Sequence, residues 1–261
     1  MLAADTGDEP VTGEVFFGVG KALGRCKARG RAAEDLIFPP DVLCLSCDRA
    51  LSEEDENGIC AACADALGRL REKRQELDLS AERPPEGIDY VHAAYPYDGQ
   101  AKMLIRRLKF ESVRAAAVPL ALEMAYLDAG EEELIVPVPT DALRRKKRGF
   151  NQSTLLAEHM AKTLGMPMRE ALERTKRRAP QRGLDAEARK RNLAGCMRAD
   201  ETVRGKRILL IDDVYTTGAT VSEAARALRE AGAIGVGVIC AARTGHDDSE
   251  KQVPFPLFRL H

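Results

Sequence analysis

Short apolar runs alternate with amphipathic stretches along most of this chain, and the alternation predicts a parallel sheet flanked by helices. Strands are predicted over residues 90–97, 134–139, 208–211 and 234–241, and the last three runs contain no charged side chain. A strand that is covered on both faces is apolar throughout, as in parallel α/β sheets. The spacing of apolar residues predicts helices over residues 61–79, 99–110, 113–127, 150–164 and 221–230.

The composition limits the class of protein. The chain has 261 residues, which suits one medium domain and a smaller module. With 40 basic and 41 acidic side chains, the net charge favours neither nucleic acid nor an anionic membrane as a partner. No apolar run approaches the length of a membrane span, and the acidic first residues lack the apolar core of a signal peptide. We therefore expect a cytoplasmic protein with reduced thiols.

Changes in composition divide the chain into five predicted parts. The main α/β domain is expected over residues 88–245, after a linker at 81–87 that contains Pro84-Pro85. A four-cysteine module and its helix are expected over 36–80. The remaining parts are a partly disordered extension over 1–35 and a tail over 246–261.

Four of the seven cysteines form two Cys-x-x-Cys pairs, Cys44 with Cys47 and Cys60 with Cys63. Each pair makes a tight knuckle, and two knuckles supply four thiolates in the tetrahedral arrangement that Zn²⁺ prefers. The twelve residues between the pairs suit a short hairpin with Asn57-Gly58 at its turn. Because four thiolates leave no open coordination position, the predicted zinc is structural.

Three other interpretations of these cysteines stay open. Two disulfides are disfavoured in a reducing compartment. Thioredoxin-like redox pairs would need a βαβ frame, which the surrounding sequence does not predict. An iron–sulfur cluster is also held by four cysteines.

Residues 208–220 place two adjacent acids, Asp212 and Asp213, directly after a buried strand. A Thr/Gly loop follows, and it directs backbone N–H groups and a helix N-terminus at one point, which suits a phosphate. Because carboxylates accept hydrogen bonds but repel phosphate, the acids are predicted to face sugar hydroxyls. The segment therefore predicts a sugar-phosphate site, with the phosphate on Thr216, Thr217, Gly218, Ala219 and Thr220.

This arrangement resembles the motif that binds phosphoribosyl pyrophosphate (PRPP) in type I phosphoribosyltransferases. We expect Mg²⁺ to be held mainly by the phosphates of the substrate, and direct ligation by Asp212 and Asp213 is the alternative. An ordinary strand–turn–helix with solvated acids is the simplest other interpretation.

Five consecutive cations at residues 144–148 follow the predicted strand over 134–139. Most such clusters are solvated or nucleic-acid-binding loops. The functional alternative is a pyrophosphate loop, since cations and backbone N–H groups hold that highly charged group. We assign this role to Arg148 and to Gly149, which allows close approach of the backbone, and leave the other four cations open. A further basic stretch at 174–192 is predicted to be an exposed loop that suits a mobile lid.

Several short motifs occur together in an order that resembles the ComF family of competence-related proteins. They are the four-cysteine module after Phe38-Pro39-Pro40, then Tyr95-Pro96-Tyr97, Lys109-Phe110, Val136-Pro137-Val138-Pro139, Arg148-Gly149-Phe150-Asn151-Gln152, Arg174, Gln181, Leu184, Arg189-x-x-Asn192, Gly195 and the acid–threonine segment. The resemblance covers residues 36–243. Ser112 and Met197 depart from it, at positions where the family often has Gly and Phe.

The resemblance implies a type I phosphoribosyltransferase fold joined to a zinc-ribbon-like module, in a protein linked to DNA uptake and natural transformation. The chain would then transfer a 5-phosphoribosyl group from PRPP to a nitrogen nucleophile and release pyrophosphate, with Asp212 and Asp213 as its catalytic residues. The alternative is a non-catalytic adaptor that senses PRPP or a nucleotide in DNA import or recombination. DNA-processing proteins are the expected partners, and the surplus cations predict weak contact with single-stranded DNA.

Overall fold

The computed structural model describes residues 43–76, 84–127, 129–175 and 195–245. These residues belong to one compact unit, Pro40–His261. Its centre is a four-stranded sheet with the spatial order β1-β6-β5-β2, in which all neighbours are parallel. A separate antiparallel pair joins β3 and β4. The strands are β1 (Tyr90–Pro96), β2 (Leu134–Pro137), β3 (Leu172–Arg174), β4 (Met197–Ala199), β5 (Arg207–Tyr215) and β6 (Gly235–Arg243).

One described helix precedes the first strand, and the other described helices lie between strands. The helices are α1 (Ala61–Glu76), α2 (Gly99–Arg106), α3 (Ala117–Ala125), α4 (Ala142–Arg148), α5 (Gln152–Leu164) and α6 (Ala219–Glu230). The helix predicted over 99–110 is divided, because α2 gives way to a π-helical turn, Arg107–Glu111. Two 3₁₀ turns are Arg114–Ala116 and Glu201–Val203. Within the described ranges, no helix combines the length and apolar character needed to cross a membrane.

Two hydrophobic cores cover the two faces of the sheet. The first contains buried side chains from α2, α3 and α5, and the second contains side chains from α6 and the β3–β4 pair. Strand β5 contributes to both, since Leu209 and Ile211 lie in the first core while Ile208 and Leu210 lie in the second. The predicted parallel sheet flanked by helices is therefore confirmed.

The four-cysteine module packs onto the first core. Its buried residues Leu45, Ile59 and Leu67 belong to the same cluster as the side chains of α2 and α3. Ion pairs add to this contact, since Arg71 and Arg74 of α1 lie 3.4 and 3.3 Å from the Glu123 carboxylate on α3. The five predicted parts of the chain stay predictions, because residues 1–42, 77–83 and 246–261 lie outside the described residues.

Strand β5 continues past the two acids that were expected to end it. Strand β6 runs alongside, so that Asp212 pairs with Cys240 and Tyr215 with Arg243. On the other side, β2 ends where Pro137 pairs with Ile211. The acids thus lie in strand geometry, but one edge of β5 is open at their level.

Candidate functional site

A crevice lies at the carboxyl end of β5, between β5 and β2. The connections diverge there, because α5 after β2 packs in the first core while α6 after β5 packs in the second. Ligands of open α/β sheets bind where connections diverge in this way. The resulting cavity has a volume of about 320 Å³. It is lined by Lys109, Phe110, Val138, Pro139, Thr140, Asp141, Arg144, Arg148, Asn151, Gln152, Ser153, Arg174, Asp212, Asp213, Val214 and Thr220.

The carboxylate of Asp212 is held from two sides. The Ser153 hydroxyl on α5 donates to Asp212 Oδ1 at 3.1 Å, and the Asp213 backbone N–H donates to the same oxygen at 2.8 Å. Burial and the neighbouring carboxylate of Asp213 raise the pKa of Asp212 to about 7. Asp212 therefore changes charge near neutral pH, and its second oxygen can accept from a ligand.

The carboxylate of Asp213 is paired with a lysine that we did not predict as a site residue. Lys109 Nζ lies 2.8 Å from Asp213 Oδ1, and the two side chains are only 18% and 15% exposed. Lys109 comes from the π-helical turn after α2, about one hundred residues away in sequence. The only sequence signal was its place in the Lys109-Phe110 motif.

The Thr/Gly loop joins the end of β5 to the start of α6. Thr216 and Thr217 are exposed, whereas Gly218 is buried and has a φ of 73°, in the left-handed region. Among the described residues, no side chain caps the first turn of α6, so its backbone N–H groups remain available to an anion. Thr220 of this first turn lines the cavity. The loop thus presents N–H and hydroxyl donors beside the acid pair.

Gly218 is predicted to tolerate no side chain. A Cβ there would lie 2.5 Å from the hydroxyl and 3.0 Å from Cζ of Tyr215, whose ring is buried. Gly218→Ala should lower the free energy of unfolding by about 2–4 kcal/mol, from left-handed strain plus the steric clash. Gly165 and Gly205 have φ values of 66° and 71°, and a Cβ at either would meet nothing within 4 Å, so they are matched controls.

In the controls Gly165→Ala and Gly205→Ala, the free energy of unfolding should fall by only about 1–2 kcal/mol, because the left-handed strain acts there without a steric clash. Denaturant unfolding of the three variants measures the difference. An equal loss in all three would show that the Tyr215 ring moves aside and that Gly218 is required only for its φ.

The basic run forms a short helix, α4, and so differs from the predicted loop. Asp141 begins this helix by accepting from the Leu143 N–H at 2.9 Å, and Gly149 ends it with a φ of 79°. Helical spacing places Arg144 and Arg148 on one face, and both line the cavity. Burial lowers the pKa of Arg148, and the neighbouring Arg144 charge lowers it further. Two like charges at one wall suit a ligand with several negative charges.

Further polar side chains of the cavity wall were missed as site residues. The Arg174 guanidinium donates from Nε to the Pro139 carbonyl at 2.8 Å. The Asn151 amide donates to the Val138 carbonyl at 2.9 Å, and its own side-chain oxygen is buried with no protein partner in the described residues. The buried amide nitrogen of Gln152 likewise has no described partner. Asn151 and Gln152 lie at the start of α5, Arg174 ends β3, and all three line the cavity, so a ligand bound there would be placed to pair with the two unpartnered amide groups. The predicted lid falls mostly on residues 176–194, outside the described residues.

The four cysteines of the module form one cluster. The sulfur atoms of Cys44, Cys47, Cys60 and Cys63 all lie within 4.8 Å of one another, and Cys47 Sγ is 3.7 Å from Cys60 Sγ. Zinc–sulfur bonds of about 2.3 Å in a tetrahedron require sulfur separations of about 3.8 Å, so the set fits zinc. Burial raises the pKa of the Cys44 thiol, but hydrogen bonds from the backbone N–H groups of Cys60 and Ser46 outweigh this effect and lower the pKa to about 7. That shift favours the thiolate at Cys44, which is the form that binds a metal, whereas burial raises the pKa of Cys63 to about 12.

Residues 150–255 match the family model of the phosphoribosyl transferase domain. With the parallel sheet and the crevice, this match defines the class: a protein of the phosphoribosyltransferase fold with an N-terminal four-cysteine cluster. The chain is 34% identical over 206 residues to the DNA utilization protein YhgH of Salmonella typhimurium, across 72% of this chain and 91% of the relative. The chain belongs to the ComF family of competence-related proteins, as its motifs predict.

Other relatives carry competence names. Competence protein F of Haemophilus influenzae is 29% identical over 199 residues, across 68% of this chain and 86% of that protein. Competence protein ComFC of Bacillus subtilis is 28% identical over 215 residues, across 76% of this chain and 82% of that protein. Among solved structures, the glutamine PRPP amidotransferase from B. subtilis complexed with ADP and GMP has a TM-score of 0.37 and 24% identity, covering 49% of this chain and 26% of that one.

Proposed function

We propose that this chain binds PRPP with Mg²⁺ and transfers its 5-phosphoribosyl group to a nitrogen nucleophile, with release of pyrophosphate. A single observation carries the proposal: one crevice brings together an acid pair, Thr220 in the first turn of α6 and a cationic wall, while Thr216 and Thr217 precede that turn outside the cavity lining. Each matches one part of PRPP, which has ribose hydroxyls, a 5′-phosphate and a pyrophosphate. An ordinary strand–turn–helix would not need all three around one cavity.

The proposed roles follow from the chemistry of each group. Asp212 and Asp213 accept hydrogen bonds from the ribose hydroxyls, which orients the sugar, and the residues from Thr216 to Thr220 donate to the 5′-phosphate. Arg144 and Arg148, with Lys109 nearby, stabilise the charge that builds up on pyrophosphate as its bond to C1 breaks. The nitrogen nucleophile then bonds to C1 and loses its proton to solvent or to the departing pyrophosphate.

The residues of the crevice also fit the predicted magnesium. Carboxylates are suitable ligands for a hard cation, but Asp213 already pairs with Lys109 and Asp212 with Ser153. We therefore propose that Mg²⁺ arrives bound to the phosphates of the substrate and lies near Asp212 and Asp213. When bound, Mg²⁺ would neutralise charge on the leaving pyrophosphate.

We propose zinc as the metal of the four-cysteine cluster. The sulfur separations and the backbone N–H groups aimed at Cys44 support this choice. Since four thiolates complete a tetrahedron, the ion would hold the module together and take no part in the reaction.

Two measurements test the main proposal. Calorimetric titration with PRPP in the presence of Mg²⁺ should give saturable binding, and ribose 5-phosphate and pyrophosphate should each compete, because each would occupy part of the crevice. Pyrophosphate release, assayed with a panel of nucleobases and amines, tests turnover. The absence of PRPP binding by folded protein would overturn the proposal.

A second candidate is an adaptor that senses PRPP or a nucleotide without turnover. The names of the relatives support it, because they refer to DNA utilization and competence and to no reaction. Saturable binding without pyrophosphate release for any acceptor would favour the adaptor.

Whether it is a transferase or a non-catalytic adaptor, the protein would act together with DNA or with proteins that process DNA. Lys146 and Lys147 support a weak DNA contact, since both are exposed and neither lines the cavity. Affinity for a single-stranded oligonucleotide should fall steeply with salt, because binding releases counterions from the phosphates. If no complex forms at low salt, a protein partner remains as the link to DNA.

A further inference from the structure

The π-helical turn Arg107–Glu111 connects the cysteine module to the ligand crevice. It follows α2 directly, and Ser112 ends it with a φ of 58°, in the left-handed region. Single turns of π-helix are rare and occur often at functional sites. The contacts on the two flanks of this turn show what it joins.

One flank of the turn is held by the module. The Arg107 guanidinium donates from Nη1 to Asp48 Oδ1 at 2.7 Å, and its Nη2 donates to Asp48 Oδ2, so the pair is bidentate. Asp48 directly follows Cys47, one of the four clustered cysteines, and it has a φ of 60°. A bidentate pair constrains both distance and orientation, so it ties the turn to this knuckle.

The other flank of the turn enters the crevice. Residues two apart on a helical turn face different directions, so Lys109 points away from the side that Arg107 presents to the module. Lys109 Nζ contacts Asp213 at 2.8 Å, and both side chains are largely buried. The turn is thus held between the cysteine knuckle and the acid pair.

We propose that Arg107 is a positioning residue, through which the four-cysteine module holds Lys109 against Asp213 and so sets the affinity of the crevice for the pyrophosphate group. The part that concerns ligand affinity rests on the proposed function. The part that concerns the placement of Lys109 does not rest on the proposed function, because that placement follows from contacts within this chain alone.

The first experiment measures Lys109 itself and needs no ligand. Competitive amine labelling, read by mass spectrometry, reports how accessible and how charged each lysine is. Arg107→Gln and Asp48→Asn should each raise the labelling rate of Lys109 by about threefold or more, as expected when a buried ion pair opens. Arg71→Gln is the matched control, because Arg71 also joins the module to the domain but contacts Glu123, away from the crevice.

Unchanged Lys109 labelling in folded Arg107→Gln and Asp48→Asn proteins would overturn the inference. An equal rise in Arg71→Gln would also overturn it, because loosening of the whole module would then explain the result. Metal analysis of each variant separates loss of the ion pair from loss of the metal. If single variants do not fold, the exchanged pair Asp48→Arg with Arg107→Asp should restore slow labelling.

The second experiment is a thermodynamic cycle on PRPP binding. Arg107→Gln should weaken PRPP binding about tenfold when Lys109 is present and have almost no further effect in a Lys109→Gln background, because Arg107 would act only through the Lys109 contact, which the second change has already removed. Additive effects would overturn the coupling. Failure of wild-type protein to bind PRPP would overturn the proposed function, while the labelling result would still decide the role of Arg107.

Discussion

Replacing Cys44 and Cys60 by serine is expected to abolish metal binding and to unfold the four-cysteine module. Structural zinc in small modules contributes on the order of 10 kcal/mol to folding, so this is the largest effect that we expect. The loss should reach the domain, because Leu45, Ile59 and Leu67 of the module share a core with α2 and α3. Metal analysis should give about one zinc per chain for wild type and none for the variant, with a lower melting temperature.

A buried thiol outside the cluster provides the control for this experiment. Cys196 is 5% exposed and lies in the second core, so Cys196→Ser tests the general effect of changing a buried cysteine. It should retain the metal. Wild-type protein that is folded and reduced yet contains no metal, or that contains iron with sulfide, would contradict the zinc assignment.

The double replacement Asp212→Asn with Asp213→Asn is expected to weaken PRPP binding by at least ~2 kcal/mol, or roughly 30-fold. Asparagine keeps the shape of the side chain but removes a charged acceptor for the ribose hydroxyls. The comparison should be made near pH 8, because the pKa of Asp212 is about 7 and a protonated carboxyl resembles asparagine. Calorimetry on both proteins gives the ratio of dissociation constants.

Asp200→Asn serves as the control for a changed carboxylate. Asp200 caps the turn Glu201–Val203 by accepting from the Thr202 N–H, and it does not line the cavity. The affinity of the Asp200→Asn protein for PRPP should equal that of the wild-type protein. Equal affinity in the folded double variant would contradict the assignment of the acids, and tighter binding would indicate that they face phosphate and repel it.

Much of the fold was accessible from local patterns. The apolar runs that became β2, β5 and β6 needed no partner to be recognised, because a strand covered on both faces excludes charged residues. The two Cys-x-x-Cys pairs and the order of acid, loop and helix were equally local. What the patterns could not locate was the end of β5, since β6 continues to pair with it beyond the acids while β2 does not.

The cations show where local patterns stop being informative. Residues 144–148 are all basic, and the sequence analysis assigned a ligand to Arg148 but did not distinguish among the other four cations. The structure makes the distinction, because the run is a helix whose spacing places Arg144 and Arg148 on the cavity side. Lys109 lies in a different segment, and nothing in its immediate neighbours indicates a partner on β5.

The sequence by itself determined the family, the four strands of the central sheet, the helices that flank them, the four clustered cysteines and the order of strand, acid pair, loop and helix around Asp212 and Asp213, but not the β3–β4 pair or α4. These features depend on neighbouring residues and on periodicity, which are present in the chain before it folds. Only the tertiary structure decided that Lys109 pairs with Asp213, that Arg107 pairs with Asp48, and that one cavity joins the acids to the cationic wall. Those contacts join segments far apart in sequence, and they exist only because the two cores bring helices and strands of distant segments to the same edge of the sheet.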